Sequence, residues 1–120
     1  MNKLQLKRVY EESSKTDDYR ILVDRIWPRG VNKFKVKIDL WLKEIAPSNE
    51  LRKWFAHDTK KRNKFRTKYS KELKNKNKEL NIITQRLKKS NVTLLFGAKD
   101  EKHNQAVTLQ EYFRNKLADD

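Results

Sequence analysis

The chain of 120 residues contains no cysteine and only two glycines. The absence of cysteine excludes disulfide bonds, thiol nucleophiles and zinc or iron–sulfur clusters held by thiolates. Gly30 and Gly97 are too few for a glycine-rich phosphate loop, so dinucleotide-binding and Walker-type motifs are excluded. The only histidines are His57 and His103, which excludes a site with several histidine ligands. We therefore predict no metal and no cofactor.

Long apolar runs are also missing. No segment approaches the roughly 18 to 20 consecutive apolar residues that cross a bilayer. The first ten residues, MNKLQLKRVY, lack the apolar centre of a signal peptide. We therefore expect a cytoplasmic protein with no membrane partner. A chain of this length forms one hydrophobic core economically, so residues 1–120 are predicted to be a single domain.

Positive charge is abundant, with a formal net charge of +14. Residues 31–90 hold 19 of the 30 basic residues but only 6 of the 16 acidic ones. Such a surface attracts polyanions. Lysine and asparagine also occur together, as in KKRNK and KNKNK, a pattern that a genome rich in A and T produces without selection for binding. Both explanations stay open on composition alone.

Three short apolar segments are typical of β-strands. They are residues 4–10, residues 19–23 and residues 92–96. The third is almost continuously apolar, which predicts a central strand of a parallel sheet with helices covering both sides.

Elsewhere the apolar residues recur at helical spacing. The five predicted helical stripes are Ile38, Trp41, Leu42 and Ile45; Leu51, Trp54 and Phe55; Phe65, Tyr69 and Leu73; Leu80, Ile83 and Leu87; and Ala106, Leu109, Phe113 and Leu117. Ser48 is placed to cap the second helix, and Asp58 or Thr59 to cap the third. The predicted fold class is therefore α/β, a small and mainly parallel sheet flanked by helices in a single compact domain.

One candidate site follows the second strand, in the segment Val23–Gly30. Ligands bind at the carboxyl ends of strands in open α/β sheets, and a strand here runs directly into Asp24, Arg25, Trp27 and Arg29. A pair of guanidinium groups suits phosphate or carboxylate. The alternative is structural: Asp24 forms an ion pair that fixes the loop, and Trp27 belongs to the core.

A second candidate site follows the third strand, in the segment Gly97–Asn104. Asn104 or Asp100 can cap the last helix, whose free backbone N–H groups would attract an anion. Lys99 adds charge, and His103 can move a proton near neutral pH. The alternative is a polar capping loop in which His103 bonds only to the backbone.

Four motifs carry a family resemblance: RVY, LVDRIWPRG, DLWLKEIAPSNELRKWFAHD and LLFGAKDEKHNQA. They resemble the YeaO-like bacterial proteins, a family of unknown function, over nearly the whole chain. The resemblance implies a parallel α/β fold in the bacterial cytoplasm and no established activity. Longer relatives carry cysteine-histidine-arginine where this chain has Lys102-His103-Asn104. Cysteine chemistry is therefore not implied, whereas a role for His103 beside the loop of Asp24 and Arg29 is.

The leading hypothesis is an anionic small ligand bound at the carboxyl ends of the strands. The residues predicted to bind it are Arg8, Arg25, Trp27, Arg29, Lys99 and Asn104. If chemistry occurs there, His103 is the predicted proton shuttle, oriented by Asp24 or Asp100. One alternative is nucleic-acid binding without sequence preference through the basic surface of residues 60–78. Another is a structural or stress-response protein without a ligand. Whether the chain is an enzyme, and its oligomeric state, are open at this point.

Overall fold

A four-stranded parallel sheet lies at the centre of the fold. The computed structural model describes the backbone of residues 2–119 and the side chains of residues 2–116. The strands are β1 (Leu4–Arg8), β2 (Tyr19–Leu22), β3 (Leu40–Trp41) and β4 (Val92–Phe96), and the helices are α1 (Asn49–Phe55), α2 (Arg62–Leu73), α3 (Asn77–Leu87) and α4 (Gln105–Asp119). The strand order is β1-β4-β2-β3, with every neighbouring pair parallel. The predicted α/β class is confirmed.

Strand β4 occupies the interior of the sheet. Val92 is paired with Leu4 of β1 on one side and with Tyr19 of β2 on the other. All five residues of β4 are buried, as the continuous apolar sequence predicted. Because β2 and β4 run in the same direction, the loops that follow them leave from the same edge of the sheet.

The four helices contribute to one core on one face of the sheet. Its principal members are Ile21, Val23, Leu94 and Phe96 from the sheet side and Leu51, Phe65, Tyr69, Leu73, Ile83, Leu109 and Phe113 from the helices. Burying each large apolar side chain stabilises the fold by roughly 1.5–3 kcal/mol. The helical stripes predicted from Leu51 onward are present, and only the Leu117 side chain lies outside the described residues. Among residues 2–119, no helix has the length and apolarity needed to span a membrane.

The opposite face of the sheet is covered by the segment between β2 and β3. Val9, Leu22 and Leu95 form a second core with side chains from that segment: Trp27, Val31, Val36 and Ile38. The expectation of helices on both faces is therefore wrong. Apolar side chains of a long loop cover this face in place of a helical layer, and they pack on a smaller core than the helices do.

Residues 38–45 are not the predicted helix. They form β3 and then a single 3₁₀ turn, Lys43–Ile45. The Asp39 carboxylate accepts a hydrogen bond from the Arg20 backbone N–H at 2.9 Å, and the Asp39 N–H donates to the Arg20 carbonyl at 2.9 Å. The segment is thereby held against β2. Ile38 enters the second core and Ile45 the first, so the apolar spacing reflects two faces of a sheet.

A buried ionic cluster lies beside the second core. Arg20 is 1% exposed and Asp17 is 4% exposed, and the two form an ion pair. Lys7 Nζ lies 2.8 Å from Asp17 Oδ1, and the Thr93 hydroxyl donates to the Asp17 carbonyl at 2.8 Å. Burial alone would raise the pKa of Asp17, but hydrogen bonds from Lys7, Ser14 and Arg20 outweigh it and lower the pKa to about 2. The cluster joins β1, β2 and β4 through their side chains.

Candidate functional site

A hollow of about 1080 Å³ opens at the edge of the sheet where β2 and β4 end. We call it the strand-end hollow. Its lining comes from residues 24–26, 46–65 and 97–105. Five basic side chains line it: Arg25, Arg52, Lys53, Arg62 and Lys99. The described lining also includes His57 and His103, whereas its carboxylates are Asp24 and Asp100. Cationic groups therefore outnumber anionic ones.

Asp24 joins the two loops that the sequence singled out. Its Oδ2 accepts from the Gly97 backbone N–H at 2.9 Å, and its Oδ1 accepts from Gln105 Nε2 at 2.5 Å. A Cβ at Gly97 would lie only 2.9 Å from Asp24 Oδ2 and 3.3 Å from Pro28 Cβ. Glycine is thus required for this close approach. The loops meet at one edge, as the ligand hypothesis needs.

The surroundings of Asp24 shift the pKa of its carboxyl group. Burial raises the pKa of Asp24 to about 6, even though the Gly97 N–H, the Gln105 amide and the Arg52 charge act in the opposite direction. A carboxyl group with that pKa changes its charge within the physiological range. It can accept a proton or donate one as conditions in the hollow change.

Asp100 orients His103. Asp100 Oδ1 accepts from the backbone N–H groups of Lys102 at 2.9 Å and His103 at 3.0 Å. Its Oδ2 accepts from Arg62 Nη2 at 2.9 Å and lies 3.1 Å from His103 Nδ1. The Lys102 N–H, together with His103, lowers the pKa of Asp100 below its usual value. The imidazole is held with Nδ1 toward Asp100 and Nε2 on the far side of the ring.

Asn104 caps helix α4. Its Oδ1 accepts from the Val107 N–H at 3.0 Å, and its Nδ2 donates to the Asp100 carbonyl at 2.8 Å. The side chain is 5% exposed. Of the two predicted caps, the structure selects Asn104. Both polar atoms of its amide are engaged by the loop, so its contribution to the hollow is to position the start of α4.

Arg25 lines the hollow, but its guanidinium group donates hydrogen bonds to backbone carbonyls. Nε donates to the Pro47 carbonyl at 2.9 Å and Nη2 to the Ala46 carbonyl at 3.0 Å. These bonds fix the chain just before α1. Arg25 therefore adds positive charge to the hollow and holds one of its walls in place.

Three predicted ligand-binding residues lie outside the described lining of the hollow: Arg8, Trp27 and Arg29. Arg8 donates to the carbonyls of Gly97 and Ala98 at 3.2 and 3.0 Å, and so supports the second loop. Trp27 packs in the second core, and its Nε1 donates to the Val31 carbonyl at 2.8 Å. Trp27 thus packs as the structural alternative describes, and whether it contacts a ligand stays a prediction.

Arg29 lies beyond the turn at Pro28 and Gly30. It is exposed, and its carbonyl accepts from the Tyr10 hydroxyl at 2.7 Å. Its guanidinium group is not brought to the hollow, because the chain turns toward the second face of the sheet after Ile26. The predicted residues that do line the hollow are Asp24, Arg25, Lys99, Asp100, His103 and Asn104.

Sequence reasoning missed the wall contributed by α1 and the start of α2. The missed residues are Asn49, Arg52, Lys53, Phe55, His57 and Arg62, together with Gln105 from α4. The available signal was the pair His57-Asp58, which directly follows the apolar stripe of Leu51, Trp54 and Phe55 at a helix junction. Its position beside the strand ends follows from the packing of α1 on the sheet, which local spacing does not reveal.

Within the part of the chain that the structure describes, no three His, Asp or Glu residues are grouped to hold a metal ion. The surplus of lysine and arginine around the hollow would also repel a cation. The groups present are suited to anions.

Comparison with known proteins identifies the family. A family profile described as "Inactive DUF488-N3 subclade" matches residues 3–120. The chain belongs to this family. It is 42% identical over 112 residues to the Escherichia coli (strain K12) protein described as "Uncharacterized protein YeaO", covering 93% of this chain and 97% of that one. The predicted YeaO-like membership is confirmed.

A second relative, "Uncharacterized protein Rv3073c" of Mycobacterium tuberculosis (strain ATCC 25618 / H37Rv), is 40% identical over 70 residues. That match covers 58% of this chain and 59% of the relative. No solved structure matches the chain significantly. The DUF488-N3 subclade and its YeaO-like members therefore supply the family, and the geometry of the hollow must supply the chemistry.

Proposed function

We propose that this YeaO-like protein binds a small ligand bearing phosphate or carboxylate in the strand-end hollow. The observation that carries the proposal is the charge of the lining: five lysine and arginine side chains face two carboxylates. Both carboxylates are already engaged, Asp24 with Gly97 and Gln105, and Asp100 with Arg62. A concave surface with one dominant sign of charge focuses its field on a ligand of the opposite sign.

The lining residues have different roles in binding. Arg52, Lys53 and Lys99 are exposed, and Arg52 Nη1 donates to the neutral Asn49 Oδ1 at 3.1 Å. The charges of all three can therefore turn toward an anion. His103 is held by Asp100 through Nδ1, which leaves Nε2 for a hydrogen bond with a ligand. The family's description as inactive favours binding over turnover. A proton-shuttle role for His103 would instead require that the bound ligand be consumed, a result that product analysis after incubation would reveal.

Calorimetric titration with inorganic phosphate and with citrate tests the proposal. We expect binding that the double variant Arg52→Gln/Lys99→Gln weakens by at least about 10-fold, since hydrogen bonds to charged groups each contribute roughly 1.5–3 kcal/mol. Lys88→Gln/Lys89→Gln is the matched control. It removes the same charge at the opposite edge of the sheet, just before β4 begins.

The control variant should bind like the wild type, and so should Arg29→Ala. An equal loss in both double variants would mean that net charge alone attracts the anion, and the hollow would lose its role. Flat titrations with both anions would favour a structural protein without a ligand.

Nucleic-acid binding is the second candidate, and the surface of residues 60–78 favours it. Its exposed lysines are Lys60, Lys64, Lys68, Lys71, Lys74 and Lys78. The one acidic residue in this segment, Glu72, accepts hydrogen bonds from the Ser48 backbone and hydroxyl at 2.9 and 2.6 Å. Arg62 and Arg66 are paired with Asp100 and Glu111, so the exposed lysines supply the positive charge of this surface.

Salt separates the two candidates. If α2 follows a phosphate backbone, affinity for a single-stranded oligonucleotide should fall by about 100-fold or more between 50 and 200 mM salt, given about six phosphate contacts. The variant Lys64→Gln/Lys68→Gln/Lys71→Gln should then weaken oligonucleotide binding, while Arg52→Gln/Lys99→Gln leaves it unchanged. The opposite pattern would assign oligonucleotide binding to the hollow.

A further inference from the structure

The strand-end hollow has an aromatic wall as well as a cationic one. The rings of Phe55 and Phe65 are stacked with their centroids 4.4 Å apart, and the centroid of Tyr69 lies 5.9 Å from that of Phe65. On the other side, the imidazole of His57 lies 6.0 Å from the Phe55 ring. A continuous row of rings thus runs from the buried Tyr69 to His57 at the surface of the hollow. Its outer end offers a flat, partly apolar surface.

The lip of the hollow exposes a large apolar side chain. Ile26 lines the hollow and is 60% exposed. Neither Ile26 nor the half-buried Phe55 gives an inorganic anion anything to contact. An apolar part of a ligand would remove both from water.

His57 reaches this position through an uncommon backbone conformation at the end of α1. Ala56 and His57 have φ values of 44° and 58°, in the left-handed region that residues other than glycine rarely adopt. Two such residues in succession end α1 and direct the chain past the hollow. Strained backbone of this kind is concentrated at functional sites.

The hollow is larger than an anionic group requires. Its volume of about 1080 Å³ lies just above the roughly 300–1,000 Å³ that small-molecule sites occupy. A phosphate group would fill a small part of it. The remaining polar lining includes the carboxylates of Asp24 and Asp100 and the amides of Asn49 and Gln105, which suit hydroxyl groups and the hydrogen-bonding edge of a heterocycle.

We propose that the ligand is a nucleoside monophosphate, with its base against Phe55, His57 and Ile26 and its phosphate among Arg52, Lys53 and Lys99. The inference rests on the proposed anion-binding function and adds the organic part of the ligand. In this arrangement the cations bind the phosphate and the rings stack on the base. Asp24 and Asp100 keep their present hydrogen bonds and use the remaining lone pairs of their carboxylates to accept from the ribose hydroxyls.

Parallel titrations with adenosine monophosphate, adenosine and inorganic phosphate test the inference. Adenosine monophosphate should bind at least about 5-fold more tightly than inorganic phosphate, because stacking of one base on aromatic side chains contributes that much or more. Ile26→Ala should weaken its binding about 3- to 10-fold and leave phosphate binding unchanged. Phe55→Leu should act in the same direction, and circular dichroism checks that this variant is folded.

Phe34→Ala is the matched control, because Phe34 is 88% exposed and lies outside the described lining. It should leave both affinities unchanged. Equal affinities for phosphate and adenosine monophosphate, insensitive to Ile26→Ala, would overturn the nucleotide assignment and leave the anion site standing. Absence of binding by both probes would overturn the two together.

The end of a nucleic-acid strand presents the same chemistry as a free nucleotide. A 5′-phosphorylated oligonucleotide is therefore the fourth probe. Tighter binding than adenosine monophosphate, lost in Ile26→Ala, identifies strand ends as the source of the ligand. Weaker binding identifies the free nucleotide.

Discussion

Replacing Asp17 with alanine is expected to lower the free energy of unfolding by about 3–5 kcal/mol, because it leaves a buried guanidinium without its partner. Arg20 is 1% exposed and pairs with Asp17 on the second face of the sheet. Lys7 loses the same carboxylate. Arg20 keeps the hydrogen bond from its Nε to the Lys37 carbonyl, at 2.5 Å, but that carbonyl carries no opposite charge. Urea or guanidinium unfolding followed by circular dichroism measures the loss.

Two further variants show whether the loss comes from the buried charge. Glu12→Ala removes an exposed carboxylate at the same end of β1 and should change the free energy of unfolding by no more than about 0.5 kcal/mol. The double variant Asp17→Leu/Arg20→Met removes both charges and should be more stable than Asp17→Ala. An Asp17→Ala protein within about 1 kcal/mol of the wild type would contradict the argument.

The Asp17 contribution also has a definite pH range. Its pKa in the folded state, about 2, lies below the ordinary value of 3.8. A lowered pKa means that the folded state favours the ionised form. The stabilisation is therefore complete above about pH 4 and is lost as the pH falls toward 2.

Asp24→Asn is expected to have the opposite effect on stability and to raise the free energy of unfolding at pH 7 by about 1–3 kcal/mol. The pKa of Asp24 is about 6 in the folded state against an ordinary value of 3.8. The folded protein thus holds a proton that the unfolded chain releases between those two values. The wild type should lose stability as the pH rises from about 4 to about 6, whereas asparagine has no proton to lose. The lower bound allows for one weakened hydrogen bond, to Gly97 or Gln105.

Unfolding of both proteins at intervals from pH 4 to pH 8 measures this effect. The advantage of Asp24→Asn should be small near pH 4 and reach its full size above pH 6. Glu50→Gln, on the exposed surface of α1, is the control and should show a difference that does not change across this range. A pH-independent advantage of Asp24→Asn would contradict the role of burial. A carboxyl group retained at such a cost is typical of functional sites.

Much of the fold could be predicted from local pattern. The continuous apolar run Val92–Phe96 indicated the central strand, and it is buried along its length. The four-residue spacing of Phe65, Tyr69 and Leu73 indicated the buried stripe of α2. Ser48 was placed as the cap of α1, and its hydroxyl accepts from the Leu51 N–H at 3.1 Å. In each case the residues that form the predictive pattern lie close together in the sequence.

Other features depend on contacts distant in sequence. Ile38 and Ile45 have helical spacing, but β2 draws the chain between them into the sheet through Asp39. Whether a short apolar segment becomes strand or helix is decided there by its neighbour. Such a neighbour lies about 20 positions away, outside any local window.

The part of the site formed by the loops after β2 and β4 was predictable, and the part formed by α1 and α2 was not. Asp24 and His103 follow strands whose parallel arrangement could be inferred, so their convergence could be expected. Arg29 follows the same strand as Asp24. The face of the sheet on which the Arg29 side chain lies depends on the turn at Gly30, which has φ 77°. Arg52 and Arg62 reach the hollow because α1 and α2 pack above the strand ends. That packing has no signature in the local sequence.

The strand-end hollow exists only when three separate stretches of chain come together, residues 24–26, 46–65 and 97–105. The unfolded chain does not form this hollow, so a ligand that occupies it binds only the folded protein. Such a ligand raises the melting temperature. Occupancy at 100 times the dissociation constant would add about 2.7 kcal/mol to the free energy of unfolding. The melting temperature thus becomes a gauge of occupancy, and a panel of metabolites can be sorted by heating alone, before any reaction is known.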